Sequence, residues 1–265
     1  MADISYLDWN DSIGVLDIAY KSKIFVLIIG PKGTGKTALV REFIKFKNVG
    51  MESINFSLRT RESHLIGSKT LDNGQIGFDE GILIKSMKSG NVLYLDELNA
   101  AEADVLLRLD EALDDSRQMI LKESSGEIIK ASKEWFVVAT INPLTHIGTK
   151  ELPPQLISRF PIRIRLEYPP EDVEMEIVQK HVPHISDKSA LQQGIKLANT
   201  LRDAASVEEI DYSPSIRETI AFGKMLEQGV SPKKAAVITF GNVYSQWGDI
   251  EYQKVSDIIT SMFVS

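Results

Sequence analysis

The chain has 265 residues, 43% of them hydrophobic and 25% charged, with a net charge of -7, a pI of about 5.3 and no cysteine. That length allows one large domain or two smaller ones. The absence of cysteine excludes disulfides and thiolate metal sites, and the acidic balance argues against a broad basic surface for nucleic acid, though not against a local patch or pore. No apolar run approaches the ~20 residues a membrane span needs, and Asp3, Asp8 and Asp11 stand where a signal peptide would be basic. The expected compartment is the cytoplasm.

In chain order, Ile13, Leu16, Ile18 and Ala19 predict a short helix within residues 1–22. Ile24-Phe25-Val26-Leu27-Ile28-Ile29 is a short, β-branched apolar run, as in a parallel strand buried on both faces. It leads into Gly30-Pro31-Lys32-Gly33-Thr34-Gly35-Lys36-Thr37, the phosphate-loop pattern of Gly, four residues, then Gly-Lys-Thr. Ala38, Leu39, Val40, Phe43, Ile44 and Phe46 then read as an amphipathic helix. Strand, loop and helix agree, which a plain Gly-rich turn would not require. Gly30, Gly33 and Gly35 let the backbone bend so that its N–H groups face an anion, and the helix adds its positive end. Lys36 is placed to reach the β- and γ-phosphates and the Thr37 hydroxyl to bind Mg²⁺. The expected nucleotide-binding set is Gly30 to Thr37 together with Ala38.

Residues 51–57 predict a second strand. Within residues 67–81, Asn73-Gly74 is a hairpin-turn signal, so a small exposed hairpin is expected, either a plain surface excursion or a functional loop. A short helix follows over residues 81–89. Asn91-Val92-Leu93-Tyr94-Leu95-Asp96-Glu97 is a buried strand ending in two carboxylates. In open α/β sheets ligands bind beyond the carboxyl ends of the strands, which puts Asp96 and Glu97 on the edge that carries the phosphate loop. Asp96 suits Mg²⁺ coordination, directly or through water, and Glu97 suits polarising an attacking water. Apart from the loop, the pair would read as solvated carboxylates at a strand end.

Residues 100–113 form an amphipathic helix through Val105, Leu106, Leu109 and Leu113. A second hairpin is expected over residues 118–134, turning near Gly126. Phe136-Val137-Val138-Ala139-Thr140-Ile141 is the next buried strand, and it ends at Asn142-Pro143 on the ligand edge. Asn142 is either a partner for the γ-phosphate or the water, or a turn-capping Asn before Pro. Residues 152–158 form a short helix with Pro153-Pro154 at its start, and Ile162-Arg163-Ile164-Arg165-Leu166 alternates as a strand with one polar face. Tyr168-Pro169-Pro170-Glu171-Asp172 is the domain boundary, dividing residues 1–168 from 169–265. Beyond it only helices are expected, over about 172–181, 188–205, 215–227, 232–246 and 252–262. His181 and His184 lack the further ligands a metal site needs and are assigned to surface or packing roles. The fold class is α/β: a phosphate-loop parallel-sheet domain with helices on both faces, followed by a small α-helical domain.

The order of phosphate loop, Leu93-Tyr94-Leu95-Asp96-Glu97-Leu98-Asn99, Ala139-Thr140-Ile141-Asn142-Pro143, Ser158-Arg159-Phe160 and Tyr168-Pro169 resembles the AAA+ ATPases over nearly the whole chain. Within them it is most similar to the MoxR group and its CbbQ/NorQ and GvpN-like relatives. The resemblance implies Mg²⁺-dependent ATP hydrolysis in a homo-oligomeric ring, usually a hexamer, with ATP bound between neighbours and a helical lid. It implies that Asn142 is the sensor-1 residue, Arg159 an arginine finger toward the next subunit, and Arg217 the sensor-2 arginine. The bland alternative for Arg159 is a surface salt bridge. The family's Ser-Pro-Arg reads here as Ser213-Pro214-Ser215-Ile216-Arg217, a departure by two inserted residues. The two hairpins match the helix-2 and pre-sensor-1 inserts, which face the pore or partner. A protein client is implied, with a von Willebrand factor A domain protein as the common partner. The alternatives are a nucleic-acid-directed motor, which the acidic balance and the lack of an aromatic-basic stretch disfavour, and an ATP-gated assembly scaffold.

Overall fold

The computed structural model of the chain describes residues 6–72, 75–124, 126–143 and 149–263. It divides into two compact units, one of Asn10–Pro31 with Gly35–Glu167, the other built mainly from the chain that begins at Tyr168.

The first unit runs α1 (Ser12–Ser22), β1 (Val26–Ile29), α2 (Lys36–Lys47), β2 (Met51–Asn55), α3 (Glu62–Ile66), β3 (Gly67–Asp72), β4 (Gln75–Glu80), α4 (Ile82–Ser89), β5 (Val92–Asp96), α5 (Ala103–Ala112), β6 (Gln118–Leu121), β7 (Glu127–Lys130), β8 (Phe136–Ile141), α6 (Pro154–Ser158) and β9 (Ile162–Arg165). Five strands form one parallel sheet in the order β2-β5-β8-β1-β9. The three inner strands are the continuous apolar runs, buried on both faces. The edge strands are the mixed ones: Arg163 and Arg165 of β9 are exposed, as suits a free edge. Because every pair is parallel, all five carboxyl ends share one edge. The register sets Asn55 beside Asp96 and Ile29 beside Ile141, and the Leu95–Ala139 pairing carries Asp96 alongside Thr140.

An aromatic cluster holds α1 and α2 to this sheet. Phe136 is fully buried, with Tyr20 edge-on at 5.3 Å and Phe43 at 6.3 Å. Trp135 is also fully buried, and its indole N–H donates to Ser86 Oγ at 3.1 Å.

Both expected hairpins are present as separate two-stranded sheets. β3 pairs β4 from Gly67 with Glu80 to Asp72 with Gln75, and β6 pairs β7 from Gln118 with Lys130 to Leu121 with Glu127. The Asn73-Gly74 turn lies outside the described residues. The five-residue helix α3, absent from the sequence reading, occupies the approach to the first hairpin.

The second unit contains α7 (Glu171–His181), α8 (Lys188–Ser206), α9 (Ile216–Glu227), α10 (Pro232–Ala236) and α11 (Asp249–Met262). The helix expected over 232–246 is interrupted. α10 gives way to a π-helical turn, Val237–Gly241, and a 3-10 stretch, Asn242–Trp247. The β-branched run Val237-Ile238-Thr239 followed by Gly241 is poor helix material. Gly241 also lies so near α11 that a Cβ there would stand 3.0 Å from Ile259 Cδ1. Phe222, Phe240, Tyr244 and Ile259 form the core of this unit. At its centre Arg202 grips Glu174 with two bonds, 2.6 and 2.9 Å, while Thr219 donates to the same carboxylate at 2.8 Å. A charge pair this deep needs such saturation to survive desolvation. His181 Nδ1 meets its own helix carbonyl, Ile177 O, at 2.8 Å, and the His184 N–H donates to Glu227, so each has a local role.

Truncating Phe136 to Ala is expected to cost about 3–5 kcal/mol of unfolding free energy, the range for a buried aromatic, read as a lowered midpoint in urea denaturation.

Candidate active site

The loop between β1 and α2 is shaped by three glycines used in two ways. Gly33 and Gly35 have φ of 75° and 92°, the left-handed region that glycine enters without a Cβ clash. Gly30 does not; it is needed for close approach. The Leu166 N–H donates to Ile29 O at 2.8 Å, and a Cβ on Gly30 would stand 2.3 Å from Leu166 O. Pro31, Lys32, Gly33 and Thr34 make the bend between them, with Lys32 exposed, and Ala38 is exposed on α2.

Lys36 opens α2 and is buried. It donates to Gly30 O at 2.7 Å, Pro31 O at 2.8 Å and Asn142 Oδ1 at 2.9 Å. Thr37, the next residue, directs its hydroxyl to Asp96 Oδ2 at 3.4 Å. The other oxygen of Asp96 is gripped more tightly. Tyr94 OH donates to Oδ1 at 2.7 Å and Thr140 Oγ1 donates to it at 2.6 Å. Tyr94 OH also lies 3.2 Å from Thr37 Oγ1. Burial and the Asp96 charge push the Tyr94 phenol well above its ordinary pKa, so it remains a donor.

Glu97 follows β5 in a left-handed conformation, φ 56°, which is costly for a residue with a Cβ. Its N–H donates to Thr140 Oγ1 at 3.0 Å, and its carboxylate accepts from Asn142 Nδ2 at 3.2 Å. Asn142 is buried and fixed at its backbone as well. Asn99 Nδ2 donates to Asn142 O at 2.8 Å, and the Asn142 N–H donates to Asn99 Oδ1 at 3.3 Å.

The structure thus brings Lys36, Thr37, Asp96, Glu97 and Asn142 together within one unit. It holds Arg159 elsewhere. Arg159 Nε donates to Asp110 Oδ1 at 2.9 Å and its Nη2 to Asp114 Oδ2 at 3.3 Å; the Asp110 hydrogen bond raises the guanidinium pKa further. Arg217 lies in the helical unit, exposed in the first turn of α9, and its N–H donates to the Ser215 hydroxyl at 3.2 Å. Tyr94, Thr140 and Asn99 carry no role in the sequence reading. The signal available was spacing. Tyr94 and Asp96 share one face of β5, and Thr140 and Asn142 are likewise two apart, polar positions within apolar runs.

The Thr37 hydroxyl and the Asp96 carboxylate are hard oxygen donors. Among the described residues, no group of three or more His, Cys, Asp or Glu side chains stands close enough to hold a metal by itself. Such a donor set fits Mg²⁺, which takes one or two protein oxygens and completes its shell with water and phosphate.

A parallel sheet, a glycine loop with its lysine at a helix start and an Asp-Glu pair on the same sheet edge define a P-loop nucleoside triphosphatase fold. Residues 25–160 match the AAA domain (dynein-related subfamily), and the chain belongs to that family of ATPases. An uncharacterised protein of Staphylococcus epidermidis is 33% identical over 201 residues, covering 74% of this chain and 75% of that one. Another, of Staphylococcus saprophyticus, is 31% identical over 231 residues, covering 83% and 85%. The crystal structure of a "putative ATPase" from Cytophaga hutchinsonii superposes with a TM-score of 0.52 at 20% identity, covering 95% of this chain and 88% of that one; it shares the fold. Among the described residues no helix is long and apolar enough to cross a membrane.

Replacing Asn99 by Ala strips partners from the buried N–H and C=O of Asn142. The expected cost is about 1–3 kcal/mol for such unsatisfied groups, measured by denaturant unfolding.

Proposed function

We propose that the chain hydrolyses ATP with Mg²⁺ and, as a ring-forming member of the MoxR group, uses the reaction to remodel or activate a protein partner. The observation that carries the ATPase reading is a run of hydrogen bonds at the sheet edge that passes through the Glu97 residue itself. It runs from Thr37 to Asp96 (3.4 Å), Thr140 (2.6 Å), the Glu97 N–H (3.0 Å), then from the Glu97 carboxylate to Asn142 (3.2 Å) and Lys36 (2.9 Å). It links the phosphate-facing lysine, the metal-facing pair and the base.

In this reading Lys36 exchanges the carbonyls of Gly30 and Pro31 for β- and γ-phosphate oxygens, while the backbone N–H groups of the loop and the start of α2 face the same anion. Thr37 with Asp96 would hold Mg²⁺, which would supply charge neutralisation at the phosphates. Glu97 takes a proton from the water as its oxygen bonds to the γ-phosphorus and the bond to the departing ADP oxygen breaks. Asn142, bonded to both Glu97 and Lys36, orients the base. Arg159 serves the neighbouring subunit's site, and to do so it must leave Asp110 and Asp114. Such a finger is worth about 10³–10⁵ in rate. Arg217 is assigned the sensor-2 role that the resemblance implies. The reading of the client as protein draws on the two hairpins, each of which exposes a cross-strand aliphatic pair, Leu71 with Ile76 and Ile120 with Ile128. Exposed aliphatic pairs suit a polypeptide better than a phosphate backbone. A von Willebrand factor A domain protein is the first client to test.

Glu97→Gln is expected to keep ATP binding and lower turnover at least 100-fold, as loss of a general base does at about 10²–10⁴. Lys36→Ala is expected to lose nucleotide binding. Near-normal turnover in the first variant, or tight ATP binding in the second, would refute these roles. Turnover per subunit should rise steeply with protein concentration and then saturate, and Arg159→Ala should abolish that rise without weakening ATP binding. Activity constant down to dilutions where sizing shows only monomer would count against the shared site. Stimulation by single-stranded DNA or RNA, and not by a protein client, would favour the nucleic-acid motor.

A further inference from the structure

Asp96 is held asymmetrically. Its Oδ1 receives two short bonds, from Tyr94 OH at 2.7 Å and Thr140 Oγ1 at 2.6 Å. Its Oδ2 faces Thr37 Oγ1 and Asn55 Nδ2, each at 3.4 Å, the outer limit of hydrogen bonding. A carboxylate oxygen offers two lone pairs, so two good donors saturate Oδ1. The carboxylate cannot then rotate without breaking a charge-assisted bond.

Thr140 has a second duty. The same oxygen accepts the Glu97 N–H at 3.0 Å, so one fully buried hydroxyl touches both residues of the Asp-Glu pair. Its proton goes to Asp96 and its lone pair takes the Glu97 proton. That second bond holds the residue whose backbone is in the left-handed region.

We infer that Tyr94 and Thr140 are positioning residues: together they lock Oδ1 of Asp96 so that Oδ2 is the oxygen presented beside the Thr37 hydroxyl to the metal. Thr140 in addition fixes the backbone from which Glu97 projects. The inference rests on the nucleotide reading of the site. It assigns the orientation of the metal-facing carboxylate to two hydroxyls on two neighbouring strands.

The test uses the full chain and its variants Tyr94→Phe, Thr140→Val and Thr140→Ser. Tyr94→Phe and Thr140→Val keep the shape of the original side chain, Thr140→Ser keeps the hydroxyl and loses one methyl, and melting curves compare their folded fractions. The readout is affinity for a fluorescent ATP analogue, titrated once in EDTA and once across a range of Mg²⁺. Tyr94→Phe and Thr140→Val should each raise the Mg²⁺ needed for half-maximal enhancement of binding by roughly tenfold, the scale of one hydrogen bond to a charged group. Metal-free affinity should stay within about twofold in both. Thr140→Ser, which restores the hydroxyl, should return the Mg²⁺ dependence to that of the parent chain. The inference is overturned if the Mg²⁺ dependence is unchanged in both variants. It is also overturned if metal-free and metal-bound affinity fall together, which is what loose packing alone would do. It is overturned too if Val and Ser at 140 behave alike. These outcomes leave the nucleotide reading intact. A parent chain whose nucleotide binding ignores Mg²⁺ would instead sink that reading, and the inference with it.

Discussion

An ammonium group removed from water must be surrounded by oxygen, and Lys36 is such a group. It is 7% exposed, and its charge is met by two loop carbonyls and the Asn142 amide oxygen. Burying a cation without partners is prohibitively costly, so the shape of the loop and the lysine depend on each other. The loop must curl far enough to aim the carbonyls of Gly30 and Pro31 inward, and β8 must end where Asn142 can reach. The close approach of Gly30 to Leu166 and the pairing of the Gly30 N–H with Ile141 O at 3.3 Å set that curl. Asn99 then holds Asn142 from the other side. In the proposed reading, phosphate binding trades one set of oxygens around Lys36 for another, so the desolvation of the cation has already been met by the fold.

Much of this was legible in the sequence because the signals were redundant. β1, the loop and α2 agreed with one another, and β5 is an apolar run that ends in Asp96 while β8 is one that Asn142 follows. Parallel strands place such ends on one edge, so Lys36, Thr37, Asp96, Glu97 and Asn142 could be assembled without coordinates. Tyr94 and Thr140 could not. In an isolated run a buried tyrosine or threonine reads as core, and the contact between them runs through Asp96, across a register that sequence does not specify. Asn99 was hidden for a similar reason, since it lies in a 3-10 turn where a helix start was expected. The break after α10 depends on Gly241 nestling against Ile259 of α11, a tertiary contact that helix propensity does not encode.

Helix α5 shows how the same unit joins its hairpins to the site. Arg108 donates from Nη1 to Glu111 and from Nη2 to Glu123, at 2.6 and 2.8 Å, and Glu123 lies in the turn of the second hairpin. Its Nε stands 2.6 Å from Glu62 on α3, which leads into the first hairpin, though out of line for a hydrogen bond. Lys88 on α4 makes a second bridge, bonded to Glu80 of the first hairpin and 4.0 Å from Glu127 of the second. Isolated exposed ion pairs contribute little, but the Arg108 side chain is only 12% exposed and serves three carboxylates, so it is screened less than a surface pair. The two hairpins are thereby tied to one another as well as to the sheet domain.

α5 also carries Asp110, which with Asp114 holds Arg159. This bears on how subunits of the proposed ring would communicate. A coupling path needs an element with two discrete arrangements that both ends can bias. Arg159 meets that need in chemical terms, because its planar guanidinium can pair with carboxylates of its own chain or with a phosphate presented by a neighbour. A half-exposed ion pair is weak enough to give up and specific enough to return to. In that reading, nucleotide in one subunit would draw Arg159 off α5 of the next. It would remove a constraint from the same helix that Arg108 ties to both hairpins, so the signal would pass along a single element.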